Sequence, residues 1–265
     1  MRAYTNLLRP DTPFGSVTDP WRRPTKWLAA AALLWGDAGG DEPPAIMAAG
    51  LVVISVQRTR PRTISTPLAQ FGYHVVVAEA IGENDRIAKV VDDALVQGRR
   101  EAEVIAWHNA ADDLHVLQQL PRPEGAPRHA GITAVAEAWT DRDVQERSTA
   151  RLVDSSHDLG PAAGYVSATA LVHDLVPMKE FAGTDQQQGA QLACEALAEN
   201  RLGDYSPDVL AASVLTSAVT TALLGGKHAD KLVWREPLNI AEFVGAVAWE
   251  VAPPLFSGVA PAGSE

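Results

Sequence analysis

The apolar positions fall into short runs sized for strands and longer stretches spaced for helices. Leu51-Val52-Val53-Ile54-Ser55-Val56 is broken only by one serine and predicts a buried strand. Arg62 to Leu68 alternates loosely and predicts a second strand. The β-branched run Tyr73 to Ala78, after a turn at Gly72, predicts a third. Asp85 then reads as the cap of a helix reaching about Gln97, with Ile87, Val90, Val91, Ala94 and Leu95 at helical spacing. Val104 to Trp107 is a fourth strand, and 111–120 a helix with Leu114, Leu117 and Leu120 on one face. The stretch from Pro121 to Gly131 is rich in proline and glycine and predicts a loop; Ala150 to Asp154 predicts a fifth strand. Beyond Gly164 the spacing is helical, over 164–175, roughly 187–200, roughly 206–224 and 238–250.

Both ends are less regular. Residues 1–24 hold Pro10, Pro13, Pro20 and Pro24 and predict an irregular arm. Residues 25–36, apolar from Trp27 to Trp35, predict a short helix, and Pro253, Pro254 and Pro261 mark a loose tail. Short links among the first three strands imply an antiparallel meander. Helical crossovers into the fourth and fifth imply parallel pairing. The expectation is an α/β fold with a mixed five-stranded sheet flanked by helices and a helical C-terminal part. It divides into an arm over 1–45, a domain over 46–225, and a helix with tail over 226–265.

Composition narrows the chemistry. The chain of 265 residues is 46% hydrophobic and 21% charged, as expected for one globular domain with extensions. Its net charge of −11 removes any bulk attraction to nucleic acid, so a phosphate-binding surface has to be local. Arg58, Arg60 and Arg62 form the most basic stretch, directly after the first predicted strand, and guanidinium groups bond phosphate in bidentate fashion. The single cysteine, Cys194, excludes an intramolecular disulfide framework and a thiolate zinc site, and fits a reducing cytoplasm. No apolar run reaches the roughly 20 residues that span a bilayer, so no membrane partner is expected. The sequence has no paired histidines at metal spacing, no G-x-S-x-G elbow and no P-loop.

One segment carries a sharper signal. Glu103-Val104-Ile105-Ala106-Trp107 leads into His108-Asn109-Ala110-Ala111-Asp112-Asp113-Leu114. This strand, His-Asn step and acid resemble the second motif of the DEDD 3'–5' exonucleases, which have a ribonuclease H-like fold. Asp113 takes the position of the family's carboxylate. Arg151-Leu152-Val153-Asp154 is similar to the family's fifth strand, and Tyr205-Ser206-Pro207-Asp208-Val209 resembles its last motif, with the tyrosine one residue too close. The first motif, D-x-E on the first strand, is replaced by Ser55 and Gln57 when Leu51–Val56 is taken as that strand.

The resemblance implies a pair of divalent metals, Mg or Mn, held by carboxylates and used to hydrolyse phosphodiesters. It implies Asp113, Asp208 and Tyr205 as catalytic positions and Asp113, Asp208 and Asp154 as metal ligands. His108, Asn109, Arg58 and Arg60 are then candidates for contacts to single-stranded nucleic acid or nucleotide. Two missing charges in the first motif predict a catalytically impaired protein that binds nucleic acid or a protein partner. An active exonuclease with non-standard ligands and a purely structural or assembly protein are the alternatives. The same residues also read as ordinary helix chemistry. Asn109 would cap a helix that Asp112 and Asp113 complement, and Ser206 would cap a second with Pro207 in its first turn.

Overall fold

A computed structural model describes residues 1–7, 25–37, 39, 43–122, 125, 128–141, 150–159, 175–176, 186–201, 203, 205–236 and 238–251. Residues 8–24 of the arm, the tail after 251 and all of the helix predicted over 164–175 except Leu175, which is a strand residue, lie outside these residues. Six strands form the main sheet: β1 (Arg2–Thr5), β2 (Thr25–Gly36), β3 (Ala45–Gln57), β5 (Gly72–Val77), β6 (Ala102–Trp107) and β7 (Arg151–Asp154). Their order is β1-β5-β3-β2-β6-β7. β2, β3 and β5 pair antiparallel in turn, β1 adds antiparallel to β5, and β6 and β7 continue from β2 in parallel. Two parallel pairs of short strands lie outside this sheet, β4 (Arg62–Thr63) with β9 (Leu232–Val233) and β8 (Leu175–Val176) with β10 (Leu238–Asn239).

The fold is α/β with a mixed sheet, as expected, but it has six strands rather than five. Residues 25–36, predicted as a helix, form β2 near the middle of the sheet. Both faces of β2 are covered, so its alanine-rich run shows no alternation. An apolar run of that kind cannot be told from a buried helix by periodicity. The arm was expected to be irregular, yet Arg2–Thr5 completes the sheet edge. The strand predicted over 62–68 shortens to Arg62–Thr63 before a turn at Thr66–Leu68. Asp85 lies in the first turn of its helix, whose N-cap is Glu83.

Helices cover both faces. One face carries α1 (Asn84–Glu101), α2 (Ala110–Gln119) and α3 (Ala130–Thr140). Its core takes Ala29, Ala31, Ile105 and Trp107 from the sheet. α3 follows the predicted loop; Asp92 of α1 fastens its start by accepting the Ile132 N–H at 2.9 Å. The other face carries α4 (Gln186–Ala198) and α5 (Pro207–His228), packed on Leu28, Ala30, Val52 and Val104. A six-residue helix, α6 (Ile240–Gly245), ends the described chain near the turn at Thr66–Leu68.

By length and composition α5 is apolar enough to cross a membrane, but 83% of its most apolar stretch is buried within the fold. Its close approach to the sheet depends on a glycine. A Cβ on Gly50 would lie 2.8 Å from the Val214 carbonyl oxygen, which is backbone and cannot swing away. Gly50→Ala is expected to cost about 1–3 kcal/mol of stability. Denaturant unfolding checks this, and an unchanged midpoint would refute the close contact.

Candidate functional site

Parallel strands β2, β6 and β7 all run toward one end of the sheet, here called the carboxyl end. There the chain leaves β6 at His108 and enters α2 through Asn109, which adopts a left-handed conformation at φ 58°. Asparagine tolerates that conformation better than most residues. Its side chain makes no cap bond; the cap comes from another strand. Asp154, the last residue of β7 and opposite Trp107 in the register, accepts the Ala110 N–H at 2.9 Å and the Asn109 N–H at 3.2 Å. It also accepts the Ser156 N–H at 2.9 Å and the Ser156 hydroxyl. Its carboxylate is buried, and these four donors compensate it.

Asp113 follows one turn into α2. Its Oδ1 accepts the Trp35 indole N–H and its Oδ2 the Trp107 indole N–H, each at 2.7 Å. Trp35 comes from the end of β2 and Trp107 from the end of β6, so one carboxylate joins two strands and a helix. Burial pushes the Asp113 carboxyl up to about 7; the indole donors oppose the shift, and the negative charges of Asp112 and Asp154 add to it. Beside it, His108 Nδ1 lies 2.9 Å from the Ser155 hydroxyl, and burial lowers the imidazole's affinity for a proton. Ser155 is 2% exposed, so that hydroxyl is closed to a substrate.

None of the other predicted positions contacts Asp113. Asp208 opens α5 on the opposite face, where it takes the Tyr4 hydroxyl and lies 3.6 Å from the Arg2 guanidinium at the sheet edge. Burial raises the Tyr4 hydroxyl to about 12. Tyr205 donates to the Ala78 carbonyl beyond β5, and burial holds its hydroxyl protonated. Ser55 and Gln57 lie at the far end of the sheet, because β3 runs antiparallel to β2 and β6. Ser55 is opposite Trp27, near the start of β2, and its hydroxyl accepts from Arg62 at 2.6 Å. Gln57 accepts from Arg60 Nε at 2.5 Å. Arg58 and Arg60 are exposed at that same far end. The carboxyl end therefore gathers His108, Asn109, Asp113 and Asp154 beside α2; Asp208 and Tyr205 lie at the same end of the sheet but at its β1–β5 edge, under the other helix layer, and Ser55, Gln57, Arg58 and Arg60 lie a strand length away.

These residues do not fit a pair of divalent ions. Of the two strands parallel to β6, β7 ends in Asp154, and on β2 Ala30 is opposite Ala106 and is followed by Ala31, Ala32 and Leu33. No carboxylate occurs at those β2 positions. The first acid after them, Asp37, is exposed, and its backbone N–H and C=O both bond Gln191. Both Asp113 oxygens already accept indole donors, and Asp154 is committed to the start of α2. Among the described residues no group of three histidine, cysteine, aspartate or glutamate side chains converges for a metal. Sequence reasoning did not pair Asp113 with Trp107, six residues before it, or with Trp35. An indole donor gives no local spacing that would link it to an acid 78 residues away. A cleft of about 280 Å³ between α2 and α3, lined by His115, Gln118, Glu137 and Trp139, opens on their outer surface. Compared with protein-family models, characterised proteins and solved structures, the chain matches none.

Proposed function

We propose that the chain is a ribonuclease H-like, exonuclease-type protein that does not hydrolyse phosphodiesters and works as a binding or assembly scaffold. The order β5-β3-β2-β6-β7 supports the fold: an antiparallel meander continues into two parallel strands reached by helical crossovers, with β1 added at the edge. The observation that carries the loss of catalysis is the state of Asp113. The family's carboxylate position holds a part-buried acid whose two oxygens each accept an indole N–H, and β2 beside it offers alanine and leucine instead of acids. Phosphodiester hydrolysis by two metals needs several ionised oxygens converging on open space.

Incubation with single-stranded DNA or RNA and Mg²⁺ or Mn²⁺ is expected to release no nucleotide, with Asp113→Asn indistinguishable from the parent. Metal-dependent release that disappears in Asp113→Asn would overturn the proposal.

A further inference from the structure

Among the described residues, charge is distributed unevenly along the strand direction. The carboxyl end holds Glu79, Glu83, Asp112, Asp154, Asp158 and Asp208, with the N-terminal ammonium, Arg2 and Arg86 paired to three of these acids. At the opposite end the chain turns through Arg58, Arg60 and Arg62, with Lys26 near the start of β2, Lys231 before β9, and Arg99 and Arg100 in the last turn of α1. The acids nearby are Glu101, Glu103 and Asp230, with Glu242 and Glu250 on the side of the Thr66–Leu68 turn, and Glu103 lies 3.4 Å from Lys231. A protein of net charge −11 thus has one locally basic end.

The arginines there are placed rather than scattered. Arg62 is half-buried and fixed through Nη1, which donates to the Ser55 carbonyl at 3.0 Å and the Ser55 hydroxyl at 2.6 Å. Its Nη2 lies 3.3 Å from Gln70 Oε1. Among the described residues no carboxylate pairs with it. Lys231 Nζ donates to the Arg58 carbonyl at 3.2 Å, and the Arg62 N–H donates to the Lys231 carbonyl at 2.8 Å, so the two segments are tied together. Lys26 lies opposite Val56 on the neighbouring strand. Adjacent strand ends are about 4.8 Å apart, so these cations form a row longer than one phosphate group. The same end exposes apolar surface at Leu68 and Val233.

We propose that this basic end binds the phosphate backbone of single-stranded nucleic acid. The proposal deepens the non-hydrolytic reading by naming the partner, but it stands on residues at the other end of the sheet. A row of guanidinium and ammonium groups matches a chain of phosphates, and a guanidinium held in place meets a phosphate without further ordering. The acidic end of a second copy fits less well, because its carboxylates are engaged internally: Glu83 with Met1 and Arg86, Asp208 with Tyr4 and Arg2, and Asp154 with backbone N–H groups.

The test is fluorescence anisotropy of the full chain with a labelled oligodeoxythymidylate of about 20 nucleotides, a length that exceeds one binding site. Binding is expected at about 50 mM salt and should weaken about 50-fold by about 200 mM, as four contacted phosphates predict for a single strand. Arg58→Glu/Arg60→Glu changes two exposed side chains, so it keeps the parent's melting temperature, and it should abolish binding. No binding at low salt, or binding unchanged in that variant, would overturn the proposal. So would self-association at low salt that the same variant removes, which would assign the cations to a second copy. Nucleotide release in the nuclease assay would contradict the non-hydrolytic reading alone.

Discussion

Asp154→Ala is expected to destabilise the protein by about 3 kcal/mol. The carboxylate is buried and holds the first N–H groups of α2 together with the turn at Ser156. Losing a helix cap costs about 1 kcal/mol, and each buried N–H left without an acceptor costs about 1–3 kcal/mol, partly relieved where water enters. Asp154→Asn keeps an acceptor oxygen and the side-chain volume, so it should cost less than half as much. Urea unfolding measures both. A loss below about 0.5 kcal/mol, the range of ordinary surface substitutions, would mean that Asp154 does not hold β7 to α2.

Asp113 sets a second, pH-dependent effect. Its carboxyl titrates near 7 in the folded chain and near 3.8 when unfolded. Between those values the folded state holds the proton more tightly, so stability falls as pH rises. The penalty is absent below about pH 4, grows through the window and is complete above about 7. Its ceiling is about 4 kcal/mol, from about 1.4 kcal/mol per pH unit. Asp113→Asn has no such proton. Its amide N–H₂ must also face an indole donor, so at pH 5 the variant should be clearly less stable than the parent. That gap should narrow steadily toward pH 8. Subtracting the two profiles cancels the other titrating groups, and a difference that stays flat from pH 5 to 8 would contradict the enclosed carboxyl.

The elements that showed in the sequence were those with one wet face. In α1, Ile87, Val91 and Leu95 repeat at helical spacing because its outer side is solvated. β5, β6 and β7 were found as β-branched or apolar runs between turns. β2 was missed because Lys26-Trp27-Leu28-Ala29-Ala30-Ala31-Ala32-Leu33 is buried on both faces and has high helix propensity. Sheet pairing with β3 and β6 overrides that propensity. This one misreading shifted the meander by a strand and put the residues compared with the first motif, Ser55 and Gln57, on β3, at the opposite end of the sheet from Asp113. α3 had a readable pattern in Ile132, Val135 and Trp139, masked by the prolines just before it.

The candidate site was legible only in part. The strand–acid–helix order around Asp113 follows from local spacing. The roles of its partners do not, because Trp35 and Asp154 reach it from 78 and 41 residues away in the chain. Asn109 was expected to cap α2, and its short polar side chain made that reasonable. In its left-handed conformation Asn109 makes no side-chain cap bond, and Asp154 takes over. Prediction of caps from sequence assumes that the capping group is a chain neighbour, and here it comes from a parallel strand.

The central claim is that Asp113 joins two strands to a helix and holds no metal. Its most direct test follows the indole N–H resonances of Trp35 and Trp107 during titration with Mn²⁺, a paramagnetic ion that broadens nearby protons. At stoichiometric Mn²⁺ both resonances should stay as sharp as the other tryptophan signals. Selective broadening of this pair, absent in Asp113→Asn, would place a metal at the carboxylate and contradict the account.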